Sequence, residues 1–457
     1  MTHGTDGDVL PFVRLGRVLR GRGHEVTLLT HAPYRRRAET AGLGFVPIDT
    51  PETYDRYLAD SALLPGARGT LSWLDFYRRN ALFDQLALEC RALSARIGPG
   101  RTVLVGRHTS ALSVLVVREL LGIPAAWVAV APIQPMAAGV ARHLHQHVLA
   151  SGIDAVRDGL GLAPVADWPS WFASADLHLG LWPRWFDQAG PPSSPRLRLT
   201  GFPHPDEPVK GPGEATRPEP LPAEVAGLLR GPVRPVLVTG GTGRMLHEGF
   251  YEAAVAGCHQ AGSPVLLVTP HRDLIPHRGL TPDRDLTPHH ESTTHHELTP
   301  PGVMWQPRLP FAAVMPEVAA VVHHGGIGTL TRALVSGSPQ VILAHGADRP
   351  DNAARLAAEG LARWLPETRW SPEEVARTLT AALQSGSRTD PAAALQDSLR
   401  PALQDTADGL TEAAEHLESL LDRPAPHPFR TLAGLPADQR RVLAARLRRR
   451  RAERGTP

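Results

Sequence analysis

At 457 residues with 42% hydrophobic content, the chain is too long for one core and apolar enough for two. A formal net charge of +2 supplies no whole-chain field for nucleic acid, and the two cysteines, Cys90 and Cys258, exclude a disulfide framework or a thiolate-rich zinc site. No apolar run approaches the ~20 residues of a membrane span and no basic-then-apolar leader opens the sequence, so a reducing cytoplasm is the default.

The chain starts on a glycine-bearing loop, Gly4-Thr5-Asp6-Gly7-Asp8. A helix over 10–22 and a strand over 24–30 follow, and the alternation continues with a strand over 101–106, a helix over 110–121 and a strand over 125–130. Strands that alternate with helices predict a parallel sheet covered on both faces. This half is read as residues 1–203. Residues 204–234 carry seven prolines and read as a stiff linker. Alternation then resumes over 235–385, with strands at 236–239, 265–268, 318–322 and 341–344 and helices at 250–260, 351–359 and 372–384. The fold class is therefore α/β, two doubly wound, Rossmann-like halves facing each other across a cleft at the carboxyl ends of both sheets.

Residues 271–300 interrupt the second half. Leu-Thr-Pro recurs there among His289, His290, His295 and His296. Such a tract could bind metal, but without cysteine or a strand framework a surface insertion is the stronger reading. Residues 386–422 are read as C-terminal helices, with Leu410, Ala413, Ala414, Leu417 and Leu420 at helical spacing. Residues 423–457 form a basic tail ending in Arg448–Arg451. A solvated appendage is favoured over a docking segment for a partner, although Leu435–Leu443 is similar to segments of modular peptide synthetases.

His323-His324-Gly325-Gly326-Ile327-Gly328-Thr329 carries the most chemistry. It follows an apolar strand and precedes a helix. Glycines let the backbone turn tightly and approach a ligand. The helix start offers free N–H groups, while Thr329 and His323 add donors. That geometry suits a phosphate; a ligand-free tight turn is the competing reading. Gly240-Gly241-Thr242-Gly243 follows the first strand of the same half, so Thr242 is placed to reach the phosphate from the other side. The segment lacks a full dinucleotide fingerprint. Without a Walker lysine or a carboxylate cluster, the site is expected to use amides, helix dipole and histidine, with no metal and no cofactor.

Four stretches together resemble the family 1 nucleotide-sugar glycosyltransferases of bacteria that act on natural products and glycolipids. They are Gly4–Phe12 with Gly23–Thr27, Leu199–Pro203, Trp305–Arg308 running into the histidine–glycine motif, and Asp348–Ala353. The resemblance covers the chain to about residue 422. It implies a GT-B-type fold, a nucleotide diphosphate sugar donor held by the second half and a small-molecule or lipid acceptor held mostly by the first. It also implies an inverting, metal-independent transfer of a hexose or deoxyhexose to a hydroxyl. A nucleotide-sugar epimerase of the same fold and a non-catalytic nucleotide-sugar-binding partner are the alternatives.

By that resemblance Asp8 stands where relatives carry the catalytic base. From the residues alone it caps a helix that Pro11 begins. His3 and His108 are reserves, His108 as an acceptor-binding residue. Trp305 stacks on the donor base by resemblance, or is an ordinary core tryptophan. His323, Gly325, Gly326, Gly328 and Thr329 hold the diphosphate. Asp348 matches the sugar-binding aspartate. Arg349 replaces the glutamine usual in relatives and cannot accept a hydrogen bond, which points to a different sugar or to a side chain turned to solvent. The family also places a strand before the first glycine loop. Here the sequence begins at Met1-Thr2-His3, so the first sheet is expected to lack its central strand, as from a start codon placed too late. Segments 54–79 and 143–147 are the expected acceptor lining.

Overall fold

The structure is a computed structural model that describes residues 1–64, 69–97, 102–203, 220–247, 249–275, 302–385 and 407–422. The proline-rich segment up to 219, most of the 271–300 insertion and the basic tail lie outside the described residues.

In the second half the strands are β7 (Val236–Thr239), β8 (Val265–Val268), β9 (Val303–Gln306), β10 (Ala320–His323), β11 (Gln340–Ala344) and β12 (Arg363–Pro366). They lie in the order β12-β11-β10-β7-β8-β9, and every pairing is parallel. Strands of a buried parallel sheet need apolar residues on both faces. The sequence complies. Val236 and Val238 pack with the helix Phe250–Gln260, while Leu237 turns to the opposite core with Val314, Met315 and Ala333. Chain direction across the sheet reverses between β7 and β10, which is the switch point where such sheets leave a crevice.

The first half holds β3 (Leu104–Arg107), β4 (Ala125–Ala129), β5 (Leu177–Gly180) and β6 (Leu197–Leu199) in one parallel sheet, and β1 (Thr27–Thr30) with β2 (Gly44–Pro47) in another. Two residues bridge the space between β1 and β3. Thr2 N–H donates to Leu29 C=O at 3.2 Å, and Arg107 N–H donates to Met1 C=O at 3.0 Å. The Met1 ammonium donates to Val105 C=O at 2.8 Å, and burial lowers its pKa to about 5. Met1 and Thr2 thus link β1 to β3, which lie in separate sheets among the described residues.

Two boundaries differ from expectation. The first helix runs Asp6–Gly21, so Pro11 lies inside it and does not begin it. The reason is local: Asp8 accepts a hydrogen bond from Thr5 N–H at 3.0 Å, closing the first turn ahead of the proline. The linker also ends earlier than composition suggests. Residues Ala223–Leu229 form a helix behind Pro222 because Val225 and Leu229 bury against β7 and β8.

The halves share one apolar core. Trp182, Phe186 and Phe202 of the first meet Ile327, Leu330, Leu334 and Leu356 of the second. Arg355 crosses this junction fully buried. Its guanidinium pairs with Asp351 at 2.8 Å and donates to the carbonyls of Phe186, Asp187 and Pro191 at 3.2, 2.6 and 2.7 Å. The C-terminal helix Ala407–Glu418 crosses back to the first half, where Leu410, Ala413, Ala414 and Leu417 join the core around the first helix. Among the described residues no helix is long and apolar enough to cross a membrane.

Removing the Arg355 cation strands three buried carbonyls and Asp351 at the junction. Arg355→Met is expected to destabilise the fold by roughly 3–5 kcal/mol. A drop in the urea midpoint measures this; an unchanged midpoint would show that the junction does not depend on the guanidinium.

Candidate functional site

Both glycine loops of the second half emerge at its switch point. β7 leads into Gly240–Gly243 and β10 into His324–Gly328, and β7 and β10 are hydrogen-bonded neighbours. The two loops therefore face one another, as their position after strands required.

The two histidines of the motif divide between interior and site. His323 is the last residue of β10 and fully buried. Its Nε2–H donates to Gln340 Oε1 at 3.0 Å, and its Nδ1 accepts from Gly325 N–H at 3.1 Å. Burial depresses its pKa to about 4, so the ring is neutral. Both nitrogens are used inside the protein, which corrects the expectation that His323 meets a ligand: it shapes the turn from beneath. His324 instead lies between the two glycine loops. A Cβ on Gly326 would come 2.4 Å from its Nε2, and one on Gly241 2.8 Å from its Cε1. Burial first, then the charge of Arg349, holds its pKa well below the ordinary value. Strand alternation was the available signal. An inward residue at the strand end leaves the next one to face outward.

The glycines have separate reasons. Gly325 has φ +93°, and a Cβ there would press on the Arg349 carbonyl at 3.0 Å. Gly326 gives room to the His324 ring. At Gly328, inside the helix Ile327–Ser336, an added Cβ would meet no protein atom within 4 Å. Packing does not demand glycine there, although helical glycine is about 1 kcal/mol less favourable than alanine. Thr329 is buried at 7% exposure, its N–H donating to Gly326 C=O at 3.0 Å, so its hydroxyl sits low in the first turn.

Asp348 stands immediately before the helix Arg349–Ala358. Asn352, fully buried, donates to both Asp348 Oδ2 at 2.9 Å and Gly325 C=O at 3.0 Å, tying the carboxylate to the glycine turn. Asn352 belongs to the Asp348–Ala353 stretch, and its role comes from these two contacts. Burial raises the Asp348 pKa, with the Asp8 charge adding to it and Arg349 opposing. Arg349 is partly buried. Its Nη1 donates to the carbonyls of His345, at 3.0 Å, and Met245, so it braces the loop after β7. One guanidinium nitrogen is thus committed to the backbone.

Trp305 lies within β9, half-buried, its Nε1–H donating to Thr269 C=O at 3.0 Å and the Arg272 guanidinium 5.7 Å from its ring centre. Thr242 Oγ1 accepts from Asp6 N–H at 3.4 Å, and its carbonyl accepts from His271 Nε2 at 3.0 Å. The first of these bonds spans the cleft, bringing the start of the first helix to the loop after β7. Arg308 reaches Asp6 from the same side at 3.5 Å.

Across the cleft, Asp8 is paired with Arg107 at 2.6 Å while capping Thr5. Capping and exposure to the cleft coexist at one carboxylate. His3 Nε2 contacts the buried Glu89 at 2.7 Å. His108 is 4% exposed and packs among Trp127 and His178, ring centres 4.8 and 5.8 Å away, with its pKa pushed to about 3 by burial. The ring is packed in the interior, and its buried Nδ1 has no hydrogen-bond partner among the described residues. Among the expected acceptor-lining segments, Tyr54 approaches the site directly: its hydroxyl donates to Gly4 C=O at 3.0 Å. Among the described residues no group of three His, Cys, Asp or Glu side chains is arranged to hold a metal.

Comparison with known proteins gives this geometry a context. Residues 1–78 match the glycosyltransferase family 28 N-terminal domain, and residues 286–413 match the erythromycin biosynthesis protein CIII-like C-terminal domain. The chain is 29% identical to O-mycaminosyltylonolide 6-deoxyallosyltransferase of Streptomyces fradiae over 87% of its own length and 90% of that protein's. Its fold is similar to that of the glycotransferase of kitacinnamycin, with a TM-score of 0.62 at 21% identity, covering 92% of this chain and 97% of that one. It is also similar to the glycosyltransferase VinC in complex with dTDP, with a TM-score of 0.57 at 18% identity, covering 91% and 96%.

Gly328→Ala separates packing from binding. The melting temperature is expected to hold or rise, since alanine favours the helix by about 1 kcal/mol. Nucleoside diphosphate affinity by calorimetry is expected to fall at least about tenfold, a 1.4 kcal/mol loss. Retained affinity would place the ligand elsewhere.

Proposed function

We propose that the chain is a family 1 nucleotide-sugar-dependent glycosyltransferase of the bacterial natural-product type, and that it moves a deoxyhexose from a thymidine diphosphate donor to a hydroxyl of a natural product with inversion. One observation carries the site assignment. The two glycine turns, with the His324 ring between them, face the Asp8 loop across a cleft bridged by the Asp6–Thr242 hydrogen bond. The nucleotide and sugar classes are supported by the dTDP of VinC and by the 6-deoxyallosyl group that the Streptomyces relative transfers.

In this reading the diphosphate lies against the start of the helix Ile327–Ser336. Free amides, the helix dipole and His324 stabilise the charge that develops on the leaving group. The neutral His324 donates one hydrogen bond without bringing a net charge. Thr242 and the Thr329 hydroxyl complete the phosphate wall, and Trp305 offers a face to the base. Asp348, positioned by Asn352, accepts from sugar hydroxyls. Arg349 supports the loop after β7 behind the sugar.

Asp8 is the proton acceptor. The acceptor hydroxyl oxygen forms its bond to the anomeric carbon as that carbon's bond to the diphosphate oxygen breaks, and the hydroxyl proton passes to the Asp8 carboxylate. Arg107 fixes the orientation of that carboxylate and balances its charge. No step needs a bound cation, because the leaving-group charge is met by amides and histidine.

A thermal-shift panel of nucleoside diphosphates tests the donor site, since a ligand bound only by the folded state raises the melting point. Thymidine diphosphate should raise it most. Asp8→Asn should reduce turnover of a thymidine diphosphate deoxysugar with macrolide or polycyclic aglycones about 10²- to 10⁴-fold and leave thymidine diphosphate binding unchanged. Turnover equal to the parent's would remove Asp8 from the mechanism.

A further inference from the structure

Beside the Asp8 loop lies a second histidine–carboxylate pair, and its geometry assigns it a different task. His31 follows β1 and is 1% exposed. Its Nδ1 meets Asp49 Oδ2 at 2.5 Å, and its Nε2 accepts from Gly4 N–H at 2.9 Å. A backbone N–H can only donate. The Nε2 is therefore a bare lone pair, the proton sits on Nδ1 facing Asp49, and the ring is neutral. Asp49 is itself fixed by Ala32 N–H at 2.8 Å. This pair looks like an acid–base dyad, but its basic nitrogen is already occupied.

What it occupies is the hinge of the Asp8 loop. Gly4 has φ +114°, and a Cβ there would sit 2.2 Å from Asp8 Oδ2. The Gly4 peptide plane and the Asp8 carboxylate are thus in direct contact. The same residue is held on its other side, where Tyr54 OH donates to Gly4 C=O at 3.0 Å. One residue on, Asp8 accepts from Thr5 N–H at 3.0 Å. A change at the Gly4 amide is therefore passed to the carboxylate within two residues.

We infer that His31 is a positioning residue that clamps Gly4 in its neutral Nδ1–H form, and that its protonation releases the Asp8 loop and ends turnover on acidification. An Nε2–H would point at the Gly4 N–H, two donors with no acceptor between them, and the loop would have to move. The inference rests on Asp8 acting as the proton acceptor. The groups facing His31 are Asp49 beyond β2, His3 of the loop itself, Tyr54 and Tyr57 of the helix Pro51–Ser61, and Glu89 of the helix Leu82–Ser94. Burial dominates and lowers the His31 pKa from 6.5; His3 adds to this, while Asp49 and Glu89 oppose it. The acid limb consequently lies below pH 6.5.

The test reads the imidazole directly and then the rate. Long-range ¹H–¹⁵N spectra of histidine-labelled full-length protein should show His31 protonated on Nδ1 alone near neutral pH. They should show its second protonation coinciding with the fall in turnover of the thymidine diphosphate deoxysugar. His31→Gln offers Oε1 to Gly4 N–H but does not titrate. It should abolish that limb, lower kcat about tenfold through a slightly misplaced loop and leave the donor KM near the parent value. Asp49→Asn removes the carboxylate that favours the protonated ring, and should move the limb to lower pH. An Nε2-protonated tautomer in the parent overturns the inference. So does a folded His31→Gln enzyme that keeps the parent's acid limb, because a merely structural histidine would lower the melting temperature and leave the limb in place. Should His31→Gln fail to fold, the parent spectra and Asp49→Asn decide. If the imidazole behaves as stated while Asp8→Asn turns over normally, the base assignment fails and the clamp stands.

Discussion

The reversal of chain direction between β7 and β10 is the constraint on which the rest depends. Two parallel strands whose following helices leave to opposite faces cannot fill the space beyond their own ends. Both glycine loops of the second half border that space. The loop after β7 and the loop after β10 each bring glycine to it, and the His324 ring fits only because Gly241 and Gly326 have no side chain. The Arg349–Ala358 helix then approaches from β11, bringing Asp348 to the same point through Asn352. None of these residues needs a long reach, because the sheet delivers all three loops to one edge.

The first half meets that edge through the loop Gly4–Asp8. Met1 and Thr2 bridge β1 and β3 ahead of it, and side chains fix the loop that follows. His31, Tyr54, Tyr34 and Arg107 hold Gly4, Asp6 and Asp8 from several directions. Asp6 shows the arrangement most plainly: Tyr34 and Arg37 hold its carboxylate from within the half, while Arg308 and Thr242 meet it from across the cleft. The same residues thus order the loop and set the distance between halves. Behind them Arg355 and the shared apolar core keep the back of the cleft closed.

Much of this was legible in the sequence, for reasons that differ by element. β7, β8 and the Phe250–Gln260 helix fell where periodicity placed them, because strands buried on both faces are unbroken apolar runs and the helix has a simple apolar stripe. Strands β2, β5, β6, β9 and β12 carried no such run, and the edge positions of β9 and β12 explain why. The helix start at Asp6 was hidden by Pro11, whose usual meaning is a first turn. Capping by Asp8 overrode it. The helix Ala223–Leu229 was hidden by surrounding prolines, although Val225 and Leu229 have the spacing of a buried face.

Taken alone, the sequence determined the fold class, the position of the glycine turn after β10 and the resemblance to a family, because these follow from residue order: periodicity, glycine spacing and motif. It did not determine which histidine of the pair faces the site, where Arg349 and His108 point, or which carboxylate–histidine pair is free to act. Those depend on register and on partners hundreds of residues away. His323 turns inward because β10 aligns with β7 and β11. Arg349 turns inward because the carbonyls of Met245 and His345 lie beside it, and His31 is consumed because folding brings Gly4 to its open nitrogen. A side chain's type states what bonds it can make; only the packed chain states which of them are already made.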